Sequence, residues 1–186
     1  MMRLDDTIAA IATPLQPAGL GVIRVSGTEA VSIVEPLFKG AGRTLRKAET
    51  NKLVHGWIHD DAKLIDQVLV VVMRAPHSYT TEDVVEIQCH GSPFVLRSIL
   101  DLVLGQGARL AEAGEFTQRA FLHGRLDLTQ VEAVADLIHA DSDVGAKLAA
   151  QQLQGNLYHA IDAVKKQVVS IASLVEASIE FPEEGH

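Results

Sequence analysis

The segment GEFTQRAFLHGRLDLTQVEA, Gly114–Ala133, marks the point at which the character of this sequence changes. Its first half favours a helix. This half carries two charged side chains, Glu115 and Arg119, and is too polar to belong simply to the hydrophobic core. Its second half contains Thr129-Gln130-Val131-Glu132, a capping-box pattern whose hydroxyl and carboxyl groups satisfy the first amides of a helix. We therefore predict an α+β domain over residues 1–122 and the first part of a helical domain over residues 123–186.

On the amino-terminal side of this segment, apolar runs alternate with turn residues, which is typical of strands interrupted by helices. The predicted strands are Thr7–Ala12, Gly21–Val25, Leu53–Ile58, Gln67–Met73 and Val84–Cys89. Helices are predicted over Ala30–Phe38 and from Pro93 to about Leu104, the second capped by Ser92 and ended by Gly105 or Gly107. These elements predict a mixed sheet, in which Gln67–Met73 is apolar enough to be a central strand.

On the carboxyl-terminal side, a helix is predicted to about His139, and Asp141 or Ser142 caps a second, much longer one. Apolar residues on this long helix recur at steps of four and three, the spacing of a helix-packing seam: Leu157, Ile161, Val164, Val168, Ile171 and Val175. Such a seam is ordinarily core and needs a partner helix, for which this sequence offers few candidates. The helix then runs into Phe181-Pro182-Glu183-Glu184, so we expect an amino-terminal fragment that ends in a linker.

The composition limits the classes of function. The net charge is −8, and residues 127–186 hold 10 acidic and 3 basic side chains, so this surface would repel nucleic acid outside a small local patch, missing segments or a partner. A single cysteine excludes a disulfide framework and a Cys-based zinc cluster, and we predict no metal site among the histidines. Without a leader sequence or an apolar run near the roughly 18 residues of a membrane span, a soluble cytoplasmic protein is expected.

Three charged residues are candidates for ligand binding. Arg24 lies within the apolar strand Val22-Ile23-Arg24-Val25, where a cation is costly unless it is paired or bound to an anion. An ion pair, a side chain facing water and a binding role all remain open for it. Glu86 shares one strand face with Val84 and Gln88 and could accept two parallel hydrogen bonds from a ligand. Arg125 lies in a turn, where a cation is usually solvated but could meet a ligand carboxylate or carbonyl.

Cys89 gives a rival hypothesis. A cysteine at a strand end before a turn and helix resembles the placement of a nucleophile, and His55, His59, His77 or His90 could serve as its base. A cysteine in an apolar strand is more often inert core. A cysteine-dependent hydrolase is therefore an alternative interpretation, alongside a dimerisation scaffold that binds no ligand.

Three motifs carry a resemblance to a known family: Gly21-Val22-Ile23-Arg24-Val25-Ser26-Gly27, Asp83-Val84-Val85-Glu86-Ile87-Gln88, and the opening segment Gly114–Ala133. Together they closely resemble the amino-terminal region of the bacterial tRNA modification GTPases of the MnmE/TrmE family, and the resemblance covers essentially the whole chain. It implies a tetrahydrofolate-binding fold similar to the folate domain of the glycine-cleavage T protein. It also implies a homodimer whose pockets hold 5-formyl- or 5,10-methylene-tetrahydrofolate. The family's folate contacts fall on Arg24, Glu86 and Arg125, the last at a position that is commonly lysine.

The resemblance further implies a parent enzyme that depends on GTP and potassium. With the flavoprotein MnmG, such an enzyme modifies carbon 5 of the wobble uridine (U34) of certain tRNAs, and the folate donates the one-carbon unit. GTP, magnesium and potassium would bind a G domain that this sequence lacks, and tRNA would bind through the full-length complex. The phosphate-loop pattern Gly-x-x-x-x-Gly-Lys-Ser/Thr does not occur here, and Asn51-Lys52-Leu53-Val54 lacks the aspartate of a guanine-reading motif. We therefore expect no GTP hydrolysis by this chain and assign it no catalytic residue.

Overall fold

The computed structural model describes residues 6–40, 42, 44–61 and 63–180. The chain divides into two compact units, with the boundary between Arg125 and Leu126. The predicted linker at residues 181–184 lies outside the described residues.

Seven strands in the described part of the first unit form one sheet. They are β1 (Ile8–Ile11), β2 (Ala18–Ser26), β3 (Phe38–Gly40), β4 (Leu53–Asp60), β5 (Lys63–Met73), β6 (Val84–Gly91) and β7 (Arg109–Leu110). The strand order is β3-β4-β5-β6-β2-β1-β7. Neighbouring strands are antiparallel, except that β7 pairs parallel to β1. The sheet is therefore mixed and the fold is α+β, as predicted.

The core lies on one face of this sheet because alternate strand residues point to opposite faces. Val68, Val70 and Val72 of β5 and Ile87 of β6 are buried in this core. The face is covered by α1 (Ala30–Val34) and α2 (Pro93–Gly105). A third helix, α3 (Glu115–Leu122), follows β7. The opposite face of the sheet is free of these two helices and carries the candidate site.

Two local predictions in this unit were wrong. The predicted helix Ala30–Phe38 ends at Val34 and continues as a single 3₁₀ turn over Glu35–Leu37, because Pro36 has no amide hydrogen to donate and its ring clashes with the preceding turn. Phe38 instead begins β3. Ser92 does occupy the cap position of α2, but its side chain makes no capping hydrogen bond, and Pro93 follows it in the first turn.

The second unit consists, over its described residues, of helices α4 (Leu128–His139), α5 (Asp143–Leu153) and α6 (Asn156–Glu180). The capping box of α4 is formed by Asp127 and Gln130 instead of the predicted Thr129 and Glu132. Ser142 caps α5 as predicted. The predicted long helix is broken where Gly155 adopts a left-handed conformation, with φ of 84°, a conformation that glycine adopts at little cost.

The predicted packing seam lies on α6 and faces solvent in this chain. Ile161, Val164, Val168 and Ile171 are each more than half exposed. Apolar side chains at this spacing are ordinarily buried against a second helix.

Candidate binding site on the open sheet face

The face of the sheet opposite α1 and α2, here called the open face, carries two rows of aligned side chains. Strand register places Arg24, Glu86, Val71 and Leu53 in one row across β2, β6, β5 and β4. It places Val22, Gln88, Leu69 and His55 in the next row. Charged, amide and apolar groups therefore mix on this face, unlike the uniformly apolar face beneath the helices.

Arg24 and Glu86 contact each other at the centre of this face. Both Nε and Nη2 of Arg24 lie 2.8 Å from Oε1 of Glu86. The side chains are 28% and 19% exposed, respectively. Both of these contacts fall on Oε1 of Glu86. Within the described residues, no hydrogen bond reaches Oε2 of Glu86. The sequence left an ion pair open for Arg24, and the structure pairs it with the second predicted residue.

The third predicted residue, Arg125, lies near the same Tyr79 ring as Arg24. The guanidinium carbon of Arg24 lies 5.5 Å from the centre of the Tyr79 ring, and that of Arg125 lies 5.0 Å from it. Nη1 of Arg125 also donates to the Tyr79 carbonyl at 3.0 Å. Cations within about 6 Å of an aromatic ring are attracted to its electron-rich face. The structure therefore brings Arg24 and Arg125 to one aromatic side chain, and Glu86 joins them through its ion pair with Arg24.

Two aromatic residues of this site were not predicted from the sequence. Tyr79 lies in the polar loop between β5 and β6, and Phe116 lies in the first turn of α3, 5.5 Å from the Arg24 guanidinium carbon. Only 4% of the residues are aromatic, so an aromatic side chain inside a polar loop is the signal that could have identified Tyr79. The sequence offers no comparable signal for Phe116.

The loop that carries Tyr79 is held in place by side chains at its ends. Asp83 accepts hydrogen bonds from the Arg74 guanidinium at 3.1 Å and from the Ala75 amide at 2.9 Å. Hydroxyl groups of Tyr79 and Thr117 lie 2.9 Å apart, which joins the loop to α3. Thr81 has φ of 64°, a left-handed conformation that is rare for a β-branched residue. Such strained residues cluster at ligand-binding segments.

An ion network, here called the Arg119 network, fixes α3 and therefore Phe116 and Thr117. Arg119 is fully buried and its guanidinium contacts Asp6 at 2.5 Å, Glu82 at 3.0 Å and Glu115 at 3.5 Å. Arg109 closes the network by contacting both Asp6 and Glu115. The two charges noted in Gly114–Ala133 are thus structural, since each is enclosed by partners of opposite charge.

The network shifts the ionisation of its carboxylates. Hydrogen bonding to Arg109 lowers the pKa of Asp6 below its usual value. Burial by itself would raise the pKa of Glu115, but hydrogen bonds from Arg109 and from the Glu112 amide outweigh it, so the pKa is lowered. Both groups are therefore stabilised as carboxylates in the folded state.

A cavity of about 570 Å³ lies beside Tyr79. His77 and Thr81 line it from the Tyr79 loop, and His123 and Arg125 line it from the turn after α3. Nδ1 of His123 lies 2.7 Å from the Thr80 carbonyl oxygen. Arg125 therefore belongs both to the group around Tyr79 and to the wall of this cavity.

The rival nucleophile, Cys89, lies on the buried face of the sheet. Its sulfur donates to the Gly21 carbonyl at 3.6 Å. Burial, assisted by the charge of Asp66, raises the pKa of its thiol to about 12. A thiol with so high a pKa holds almost no thiolate at neutral pH, so the geometry argues against the hydrolase interpretation.

The prediction of no metal site disregarded one His-x-x-x-His spacing, that of His55 and His59. The two histidines lie on strand β4, and a register shift separates Ile58 from His59. Nε2 of His55 lies 2.6 Å from the Gln67 side-chain nitrogen. Within the described residues, no group of three His, Cys, Asp or Glu side chains is placed to hold a metal ion.

No described helix has the length and apolar character needed to cross a bilayer.

Comparisons with known proteins match both units. The family model described as "GTP-binding protein TrmE N-terminus" matches residues 7–125, and the one described as "MnmE helical domain" matches residues 128–186. The tRNA modification GTPase MnmE of Carboxydothermus hydrogenoformans is 50% identical over 183 residues, which cover 97% of this chain and 40% of the relative. The same-named protein of Moorella thermoacetica is also 50% identical, with the same coverage. That of Clostridioides difficile is 46% identical over 98% of this chain and 40% of its own length.

The chain thus spans about two fifths of the length of these curated relatives.

Proposed function

We propose, from the premise that this chain belongs to the MnmE/TrmE family of tRNA modification GTPases, that it binds a reduced folate and dimerises. The ligand is 5-formyl- or 5,10-methylene-tetrahydrofolate, and the binding residues are Arg24, Glu86 and Arg125. In this proposal residues 1–122 form the folate-binding and dimerisation domain, and residues 123–186 begin the helical domain.

The single observation that carries this proposal is the cluster formed by the three residues around Tyr79. They come from β2, β6 and the turn after α3: Arg24 and Arg125 both lie near the Tyr79 ring, and Glu86 is held beside it by its ion pair with Arg24. An aromatic ring flanked by guanidinium groups offers stacking and hydrogen-bond donors together, which suits a flat heteroaromatic ligand with carbonyl groups.

Glu86 supplies the acceptor for such a ligand. A carboxylate has about four lone-pair sites, and Arg24 occupies sites on Oε1 only. The two parallel hydrogen bonds expected from the sequence would need both oxygens, so Oε2 accepts one ligand N–H, such as the exocyclic amine of a pterin, while Arg24 holds the carboxylate in position. Removing a hydrogen-bonded charge from a ligand contact costs on the order of 2–5 kcal/mol.

The parent enzyme in this proposal acts in the cytoplasm on carbon 5 of the wobble uridine of tRNA. It works together with the flavoprotein MnmG and uses the folate as the one-carbon donor. Its GTP, magnesium and potassium sites belong to a G domain, and its contact with tRNA belongs to the full-length complex.

Titration calorimetry with 5-formyltetrahydrofolate tests the binding proposal. Wild-type chain should bind, and Glu86→Gln should weaken binding by about 30-fold or more, in line with the cost given above. Glu132→Gln is the matched control, because Glu132 is an exposed residue of α4 and should leave the affinity unchanged. Absence of saturable heat from the wild-type chain, or equal affinities of wild type and Glu86→Gln, would refute the proposal.

A second candidate, a dimerisation scaffold without a ligand, is favoured by two observations. Arg24 and Glu86 neutralise each other, and Leu20, Leu53 and Leu69 of the sheet are exposed. Light scattering and thermal unfolding separate the two candidates. A dimer whose melting temperature does not respond to 5-formyltetrahydrofolate would support the scaffold, since a ligand of the native state must stabilise it.

A further inference from the structure

The residues that line the cavity beside Tyr79 differ in charge from the chain as a whole. The chain has 24 acidic and 16 basic residues. The described residues that line this cavity nevertheless include Arg125, His77 and His123 and no carboxylate. A concave site lined by an arginine and imidazole groups, without a carboxylate, attracts anions more than the acidic surface of the chain does. The lining therefore selects an anionic ligand.

The donors in this cavity are only partly used within the protein. Arg125 donates one N–H to the Tyr79 carbonyl at 3.0 Å, whereas a guanidinium has five N–H donors. Since a carbonyl oxygen can only accept, the contact at 2.7 Å between Thr80 and Nδ1 of His123 requires a proton on Nδ1. Nε2 of His123 then accepts a hydrogen bond when the ring is neutral and donates one when the ring is protonated. His77 is an exposed residue at the rim.

Tyr79 connects this cavity to the pair on the sheet. Its ring is shared by Arg24, which is paired with Glu86, and by Arg125, which lines the cavity. A ligand that extends from Glu86 past Tyr79 therefore reaches the carboxylate-free cavity with its far end. The proposed ligand has an anionic far end of this kind, because a folate ends in a glutamate tail whose γ-linked extension adds one carboxylate for every further glutamate.

We propose that this cavity binds the polyglutamate tail of the reduced folate, so that the site favours polyglutamylated over monoglutamylated folates. The proposal rests on the proposed function. Arg125 receives one tail carboxylate through a charge-assisted hydrogen bond, which is stronger than a neutral one, and an imidazole N–H of His77 at the rim donates to the carboxylate of the extended tail.

The test is calorimetric titration of the full 186-residue chain with the monoglutamate and the triglutamate of 5-formyltetrahydrofolate. The measured quantity is the ratio of the two affinities, from which any general loss of binding cancels. Wild type should bind the triglutamate about tenfold more tightly, the gain expected from one added charge-assisted contact. His77→Glu places a negative charge at the rim and should bring the ratio close to one. His139→Glu, the same change at an exposed histidine of α4, should retain the wild-type ratio.

Each other outcome has a defined meaning. Equal affinities for both folates in wild type, or an unchanged ratio in His77→Glu, would overturn the tail site while leaving the proposed function intact. No binding of either folate would overturn both. Titration with inorganic phosphate separates a general anion site from a tail site. Phosphate that binds and competes with the triglutamate more than with the monoglutamate supports the assignment, whereas phosphate binding without any triglutamate preference contradicts it.

Discussion

The first unit holds two charge clusters that differ in exposure and in what surrounds them. In the Arg119 network, Arg119 and Glu115 have fully buried side chains, and every carboxylate contacts a guanidinium. In the Arg24–Glu86 pair both partners are partly exposed, and the guanidinium lies against the rings of Tyr79 and Phe116. Both clusters contain arginine and carboxylate side chains, but only the Arg24–Glu86 pair is partly exposed and lies beside aromatic rings.

Burial and the number of partners, rather than charge, distinguish the Arg119 network from the Arg24–Glu86 pair. The Arg119 guanidinium contacts Asp6, Glu82 and Glu115, so its terminal nitrogens are already occupied, and its buried Nε has no hydrogen-bond partner among the described residues. Such a cluster stabilises one arrangement of the chain, because removing one partner leaves uncompensated buried charge. The Arg24–Glu86 pair keeps polar atoms at the surface, next to aromatic rings. It can therefore gain contacts when a ligand arrives.

The largest effect expected from this comparison is on folding stability. Arg119→Met removes the shared cation of the network and leaves Glu82 and Glu115 without it, which should cost about 3–5 kcal/mol of unfolding free energy. Urea unfolding followed by the fluorescence of Trp57, the single tryptophan, reports on the first unit because Trp57 lies in β4.

Two further variants make this measurement decisive. Arg97→Met, the same change at an exposed position of α2, should stay within about 0.5 kcal/mol of wild type. Arg119→Lys retains the charge but loses the planar fork, and should fall between the other two. A loss below about 1 kcal/mol in Arg119→Met would mean that burial does not make the network structural, contrary to the general cost of orphaned buried charge.

The sequence predicted the members of the two clusters to different degrees. Arg24 and Glu86 were identified because a charge inside an apolar strand is unusual, whereas their mutual contact depends on the register of β2 with β6. That register joins residues 62 positions apart and is invisible to local patterns. Glu115 and Arg119 were noted as unusual, but their distant partners Asp6 and Glu82 were not identified for the same reason.

The fold shows the same limit of local patterns. The apolar run Gln67–Met73 predicted an interior strand, which is confirmed within β5, and Pro93 and Gly105 marked the ends of α2 correctly. Strands β3 and β7 were missed, because segments of three and two residues show no alternation. The α4 cap was misplaced because Asp127-x-x-Gln130 and Thr129-x-x-Glu132 have equivalent spacing, and only the start of the helix distinguishes them.

The pH dependence of folding stability tests the Arg119 network by itself. The pKa values of Asp6 and Glu115 are lowered in the folded state. Their contribution to stability is therefore complete above the ordinary carboxylate pKa of about 4 and is lost as pH falls through the lower folded values. Arg109 contributes to both shifts, so Arg109→Gln should make stability fall less steeply between about pH 5 and pH 3.

Urea unfolding at a series of pH values, again followed by Trp57 fluorescence, measures this slope. Arg97→Gln is the matched control, since Arg97 is an exposed arginine on α2, and it should keep the wild-type slope. A slope in Arg109→Gln as steep as in wild type would show that the acid sensitivity of the first unit arises elsewhere. The network would then not be the source of its pH dependence.

The smallest effect is expected at Tyr79, the residue that distinguishes the Arg24–Glu86 pair from the network. Tyr79→Leu removes the ring on which the flat ligand is proposed to stack and should weaken 5-formyltetrahydrofolate binding about tenfold, since a contact between aromatic rings contributes about 0.5–1.5 kcal/mol. Tyr79→Phe keeps the ring and loses only the hydroxyl contact with Thr117, so its affinity should stay within about threefold of wild type. Calorimetry on both variants measures the contrast. Equal losses in the two variants would assign the effect to the hydroxyl group and to the position of α3, and the aromatic ring would then no longer support the proposal that this pair, and not the network, binds a ligand.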